Sequence, residues 1–256
     1  MPIIIVQKNI DICKDHGILF IDPLVSGTKA KPPEVHEIVE TVIRTIGKRD
    51  LFRMKILIIG GATAEPIDDI RLLTNRSSGK TAVLLSINAF ERGADVELWY
   101  GHASEPVPSF VPCKRFETVT DLLKLIKGNH VKQFDGIIVC AAIANYIPKK
   151  QKGKIPSGKP GFSIDCVKAP VILETLRSRV PDAKIVAFKT EEKKQNVKQK
   201  TQQLLSKYHL TGAIGNTLDG FGGEYNEILI LTKKGKSNWK KGKKEELASD
   251  ILDIFR

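Results

Sequence analysis

MKILIIGG, Met54 to Gly61, is the stretch on which the fold turns. Four apolar residues, Ile56 to Ile59, stand in a row with no polar alternation. Such a run predicts a strand buried on both faces, as in a parallel sheet covered by helices. Gly60 and Gly61 end it where a ligand loop would begin. Residues 79–92 then show helical periodicity, with Val83, Leu84, Ile87 and Phe90 on one side and Gly93 as the stop.

Working outward, residues 95–100 predict a strand, 119–127 a helix, and 136–142 (GIIVCAA) a second buried strand. Residues 162–166 (FSIDC) alternate as a half-exposed strand does. A helix is expected from Pro170, which suits a first helical turn, to about Ser178. Strand 184–188, a polar helix over 191–208 and strand 212–215 follow. A strand over 226–232 pairs with the chain beyond a basic turn, and a helix runs from Glu245 to Phe255. This alternation predicts an α/β fold: a Rossmann-like, mostly parallel sheet with helices on both faces and a smaller antiparallel or flap extension. Ligands bind such sheets beyond the C-terminal strand ends, where the loops after Gly61, Ala142 and Phe188 fall.

The first 53 residues read differently. HGILFIDP (His16 to Pro23) suggests a strand and PEVHEIVETVIRTI (Pro33 to Ile46) an amphipathic helix. Residues 1–53 are too short for a domain of their own and are expected to form an appendage to a domain spanning 54–256.

Composition narrows the class. The 256 residues are 41% hydrophobic and 27% charged, an ordinary globular balance. No apolar run approaches the roughly 20 residues that span a bilayer. The opening MPIII lacks a basic flank and a small-residue cleavage site, so no signal peptide and a cytoplasmic location are expected. Cys13, Cys113, Cys140 and Cys166 are scattered and none sits at zinc spacing, which suits reduced thiols. The net charge of +12 attracts polyanions. Much of it lies in KKGKSNWKKGKK (Lys233 to Lys244), which reads as a solvated loop or hairpin tip. No nucleic-acid motif accompanies it, so small phosphorylated substrates suit the charge better.

Chemistry concentrates in GGATAEPIDDIRLLTNRSSGK, Gly60 to Lys80. SSGK opens the helix at 79, where unpaired backbone N–H groups hold phosphate or carboxylate oxygens. Ser77 or Ser78 could instead be an ordinary N-cap, an explanation that weakens for a whole polar run. A P-loop fails here, because Thr74 stands where the first glycine is required, and there is no GxGxxG.

CAAIANYIPKKQKGKIPSG (Cys140 to Gly158) sets small alanines after a strand, then Asn145 and Tyr146, then Lys149, Lys150, Lys152, Lys154 and Lys159. A flap over a polyanion and an exposed loop fit that composition equally. In VKAPVIL, Lys168 precedes a helix start. Phe188 ends a strand as core or as a ligand contact, and Asn216 as a turn or a ligand.

Together these segments resemble the phosphopantothenate-cysteine ligase (phosphopantothenoylcysteine synthetase) family, the ligase half of the bifunctional coenzyme A biosynthesis protein. GATAEPIDDIR, TNRSSGK, AAIANY, KIPS, KAPV, AFKTE and GN occur in the family's order across about residues 54–232. The resemblance implies that 4′-phosphopantothenate and L-cysteine are joined through an acyl-cytidylate made from CTP, with release of pyrophosphate and CMP. Mg²⁺ would offset the triphosphate charge, with no side-chain ligands assigned. Asn75 and Lys154 match catalytic positions. Gly61, Thr63, Ser77, Ser78, Gly79 and Lys80 would bind substrate and phosphate. Ala141, Ala142, Asn145, Lys154, Lys168, Ala169, Pro170, Val171, Phe188 and Lys207 would contact the nucleotide.

Asn145 replaces a family Asp, Pro156 and Ser157 two lysines, Ala169 an Asn, Val171 an Asp and Lys189 a small residue. These changes surround the nucleotide and leave CTP against ATP open. The family also implies a homodimer. Residues 2–46 resemble the tail of the flavin-dependent decarboxylase that precedes this ligase. LVSGTKAK lacks that enzyme's cysteine, so no flavin is expected, and a separate decarboxylase chain could be a partner. The alternatives are a non-catalytic partner of such a decarboxylase, or a basic nucleic-acid-binding α/β protein.

Overall fold

The computed structural model describes residues 4–21, 23–27, 29–156, 158, 161–220 and 223–256. Among them, eight strands form one sheet. They are β1 (Lys55–Gly60), β2 (Asp95–Tyr100), β3 (Cys113–Arg115), β4 (Gly136–Val139), β5 (Lys184–Glu191), β6 (Gly212–Thr217), β7 (Tyr225–Thr232) and β8 (Ser237–Lys243). Their order is β8-β7-β6-β5-β4-β1-β2-β3. Neighbours from β6 to β3 are parallel, and β7 and β8 add an antiparallel hairpin at one edge. This is the expected Rossmann-like α/β architecture.

The chain leaves β1 for β2 and β3 on one side, then crosses back to β4 on the other. That reversal opens a crevice at the carboxyl ends of β1 and β4. Helices α3 (Lys80–Glu91) and α7 (Lys244–Leu252) cover one face of the sheet. Helices α4 (Val119–Lys127), α5 (Ile172–Arg179) and α6 (Lys194–Lys207) cover the other. In β1, Ile56 and Ile58 enter the first core and Leu57 and Ile59 the second, all without exposure. Each such side chain contributes about 1.5–3 kcal/mol by burial.

Several expectations need correction. The buried face of α3 is Ala82, Val83, Leu85, Ser86 and Ala89, while Leu84, Ile87 and Phe90 lie at its margin. The cause is close approach, since a Cβ on Gly60 would collide with that of Ala82. Strand β4 stops at Val139, and Ala142 instead bridges to Ala62. Residues 162–165 are not strand. Only Cys166–Lys168 pairs, antiparallel with Tyr146–Pro148. Helix α5 starts at Ile172 after the cap residue Val171, so Pro170 stands before its first turn. The basic run is not one solvated tip: Lys240 pairs with Asp250 at 3.1 Å in an edge strand, and Lys244 is buried.

HGILFIDP holds no strand among its described residues; Asp22 lies outside them, as do Ser157 and Lys159 of the expected flap. An unforeseen helix, α1 (Ile4–Asp15), precedes it. Gly17 at φ 81° closes α1, and the Ile18 N–H donates to the Cys13 carbonyl at 3.0 Å. Helix α2 (Val35–Ile46) matches its prediction and docks on α3. Arg44 Nη1 donates to the Phe90 and Ala94 carbonyls at 2.7 Å each. Below it, Arg92 grips Asp50 at 2.9 and 2.8 Å, and Leu51 joins the core. Among the described residues no helix is long and apolar enough to cross a membrane.

Two predictions follow from the contacts of α3. Gly60→Val should destabilise the fold by about 1–3 kcal/mol or more, read by denaturant unfolding, because Ala82 has no room to yield. At the α2–α3 contact, burial and then the Glu40 carboxyl push Glu91 up to about 7. A folded-state pKa above the unfolded value of about 4.3 means stability is lost as pH rises through about 7. The urea unfolding midpoint should therefore fall between about pH 4.3 and about pH 7 and level off above that, and Glu91→Gln should remove most of that change.

Candidate functional site

The start of α3 is placed by backbone geometry. Gly61, at φ 77°, turns the chain out of β1. Residues Ala64–Pro66 and Leu72–Thr74 then pair as an antiparallel hairpin that returns the chain to Ser77. Gly79, at φ 81°, is the N-cap of α3 and has no side-chain cap. A Cβ there would run into the Tyr100 phenol and Ala103. Only glycine takes this conformation at this distance without strain.

The helix start therefore faces a cleft of ≈ 730 Å³ at the carboxyl ends of β1, β4 and β5. Gly61, Ser77, Ser78, Gly79, Lys80, Ala141, Ala142, Asn145, Lys168, Ala169, Pro170, Val171 and Phe188 all line it. Ser78 also serves locally, its Oγ accepting from the Lys80 N–H at 3.3 Å. Phe188 packs at the edge of one core and also lines the cleft. Asn216 sits inside β6 rather than in a turn, and its Oδ1 accepts from the Thr190 hydroxyl at 2.9 Å.

The cleft favours anions. Helices α3 and α5 both begin at it, and Lys80, Lys168, Lys189 and Lys244 line it. The Lys80 ammonium pairs with Glu224, which raises the lysine and lowers the carboxyl. Desolvation pushes the Cys140 thiol up to about 12, so it stays protonated at neutral pH and acts as wall rather than nucleophile.

Four expected residues do not line the cleft. Thr63 is fully buried behind its wall. Its hydroxyl accepts from the Ala144 N–H at 2.9 Å and its carbonyl from the Thr74 hydroxyl at 2.8 Å, so it braces the wall of the site. Asn75 is exposed at the rim, with Nδ2 donating to the Ala142 carbonyl at 3.0 Å. Lys154 is exposed on the segment beyond the cleft. Lys207 lies outside, 3.6 Å from Glu174, and Tyr208 and Leu204 line the cleft in its place. Gly220, Asn226 and Lys244 also line it and were not foreseen, because their segments join the site only through β7 and α7. Buried apolar positions after Lys244 were the one local sign that this lysine starts a packed helix.

The acidic part of the motif is a clamp. Both Asp68 oxygens are used: Oδ1 accepts from Ile70 N and Arg71 N at 2.8 and 2.6 Å, Oδ2 from Ile155 N at 3.0 Å and from Arg71. Asp69 takes the Gly153 N–H at 3.0 Å and Lys150 at 2.8 Å. Glu65 accepts from Val119 N at 2.8 Å, at the start of α4. GATAEPIDDIR thus holds the lysine-rich segment and α4 around the cleft.

Residues 51–256 match the family described as the DNA/pantothenate metabolism flavoprotein C-terminal domain. The chain is 32% identical over 254 residues to the coenzyme A biosynthesis bifunctional protein CoaBC of Thermococcus kodakarensis, and 32% over 258 residues to that of Methanocaldococcus jannaschii. Each comparison covers 97% of this chain but 62% of the relative, so the chain spans under two thirds of their length. A solved structure of the C-terminal domain of a CoaBC protein is similar at TM-score 0.68 and 26% identity, over 82% of this chain and 96% of that one. A DNA/pantothenate metabolism flavoprotein from Streptococcus pneumoniae shares the fold at TM-score 0.70 and 22% identity, over 79% and 98%. A Cab2 variant, described as a complex with phosphopantothenate-cysteine, shares it at 0.64 and 17%, over 87% and 93%.

The clamp carries an acid-pH signature. Chiefly the Ile155 N–H, with the N–H groups of Ile70 and Arg71, holds Asp68 well below the usual carboxylate range. A depressed folded pKa gives stability that is present above the unfolded value of about 3.9 and is lost as pH falls through and below it. Asp68→Asn should therefore unfold earlier in urea than the unaltered protein at pH 7, and the gap should narrow below about pH 4.

Proposed function

The chain belongs to the DNA/pantothenate metabolism flavoprotein C-terminal domain family, and from that premise we propose that it is a phosphopantothenate-cysteine ligase of coenzyme A biosynthesis. Residues 54–256 would be the ligase domain and 1–53 an appendage. The observation that carries this is convergence in one cleft: the α3 start, the Ala141-Ala142 pair, the Lys168–Val171 turn and Phe188.

The chemistry follows from that arrangement. The α3 N–H groups with Ser77 and Ser78 donate to phosphate oxygens, and Phe188 lies against the base. The 4′-phosphopantothenate carboxylate attacks the α-phosphate of CTP, pyrophosphate leaves, and an acyl-cytidylate forms. The cysteine amine then attacks the acyl carbon and CMP departs. Asn75 is oriented by the Ala142 carbonyl and offers a neutral donor to the acyl phosphate. Lys154, on the clamped segment, supplies positive charge as the phosphates separate. The Ser77 and Ser78 hydroxyls would offer hard oxygen ligands to magnesium carried on the triphosphate, where it would offset phosphate charge.

Ile70, Leu72 and Leu73 are exposed on the hairpin beside the site, which supports a homodimer through that surface. A second role, as partner to a separate flavin-dependent decarboxylase, is favoured by apolar residues left exposed on the appendage: Ile4 at 86%, Val35 at 75% and Ile46 at 79%.

The test is pyrophosphate release with CTP, ATP, GTP or UTP, each with phosphopantothenate and cysteine. Release that needs CTP and both acceptors together supports the ligase, and no release with any nucleotide ends it. Asn75→Ala should keep the unfolding midpoint and slow turnover by about 100-fold or more, the scale of one lost oxyanion donor. Near-normal turnover would remove Asn75 from the mechanism.

A further inference from the structure

Lys244 is the first residue of α7 and is only 6% exposed, yet it lines the cleft. Its backbone N–H donates to the Glu224 carbonyl at 2.9 Å, and the Glu224 carboxylate is engaged by Lys80. Lys80 is thus paired, whereas the Lys244 ammonium has no ion-pair or hydrogen-bond partner among the described residues. A lysine is rarely buried to this degree unpaired, because desolvation disfavours its charge. Here burial lowers its pKa, Lys80 adds to that, and Glu105 and Glu224 oppose it.

We propose that Lys244 is a phosphate-positioning residue whose ammonium, with Lys80 and the start of α3, binds the polyphosphate of the nucleotide and selects triphosphate over monophosphate. Glu224 offsets the Lys80 charge, so the ammonium left without an acceptor beside the helix N-terminus is that of Lys244, which Lys80 repels. A polyphosphate relieves that repulsion and supplies the acceptor that Lys244 lacks. The assignment rests on the nucleotide-dependent reaction proposed above.

The experiment is calorimetric titration of the whole chain with CTP, CMP and inorganic pyrophosphate. It compares the unaltered protein with Lys244→Met, which keeps the stem without the charge, and Lys244→Arg, which keeps the charge. Lys244→Met should weaken CTP and pyrophosphate by about ten- to a hundredfold and CMP by less than about threefold, and Lys244→Arg should recover most of the loss. Equal loss of CTP and CMP, or no loss at all, would overturn the assignment. If Lys244→Met does not fold, Lys244→Gln makes the same comparison. Should the unaltered protein bind pyrophosphate but no nucleotide, the ligase assignment fails, and the pyrophosphate series still decides Lys244. Binding of neither ligand overturns both.

Discussion

The first turn of α3 rests on the carboxyl end of β1 with no room for a side chain between them. Gly60 meets Ala82, and Gly79 lies against Tyr100 and Ala103. Because the helix starts from a left-handed glycine, its N-cap residue supplies no side-chain acceptor, and only the Ser78 hydroxyl reaches the first N–H, that of Lys80, at 3.3 Å. That end of the helix, and the partial positive charge it carries, is left for a ligand at the sheet's topological switch. A bulkier contact would lift the helix off β1 and open the cleft at its base.

Around that fixed point the same motif divides its labour. Its serines and last lysine face the cleft, while the carboxylates of Glu65 and Asp68 are buried. Asp68 collects backbone N–H groups from its own turn and from Ile155, and Glu65 collects one from the start of α4. A carboxylate that accepts several N–H bonds is a strong internal anchor, since losing it would strand each donor. The acidic residues are thus spent on shape, which leaves the cleft lined with lysines rather than carboxylates.

The chain's excess positive charge is correspondingly structured. Lys80 and Lys244 sit at the helix start, and Lys150 is tied to Asp69. Lysines along β8 mark an edge strand, where charge opposes pairing with other chains. A single net figure of +12 contains all three arrangements.

Where the information was local, the sequence alone determined the structure. Ile56 to Ile59 had to be buried on both faces because no polar alternation was present. Gly60, Gly79 and the polar run between them already marked a helix start held at a strand end. The sequence left no sign of α1 in its apolar periodicity, since no residue of that helix is buried. Tertiary structure alone decided which side of α3 enters the core, that Asp68 would seize Ile155 from 87 residues away, and that Lys244 would leave a basic run to enter the cleft. Each of these depends on the close approach of segments distant in the chain. Periodicity and composition report a residue's neighbours in sequence, and burial is set by its neighbours in space.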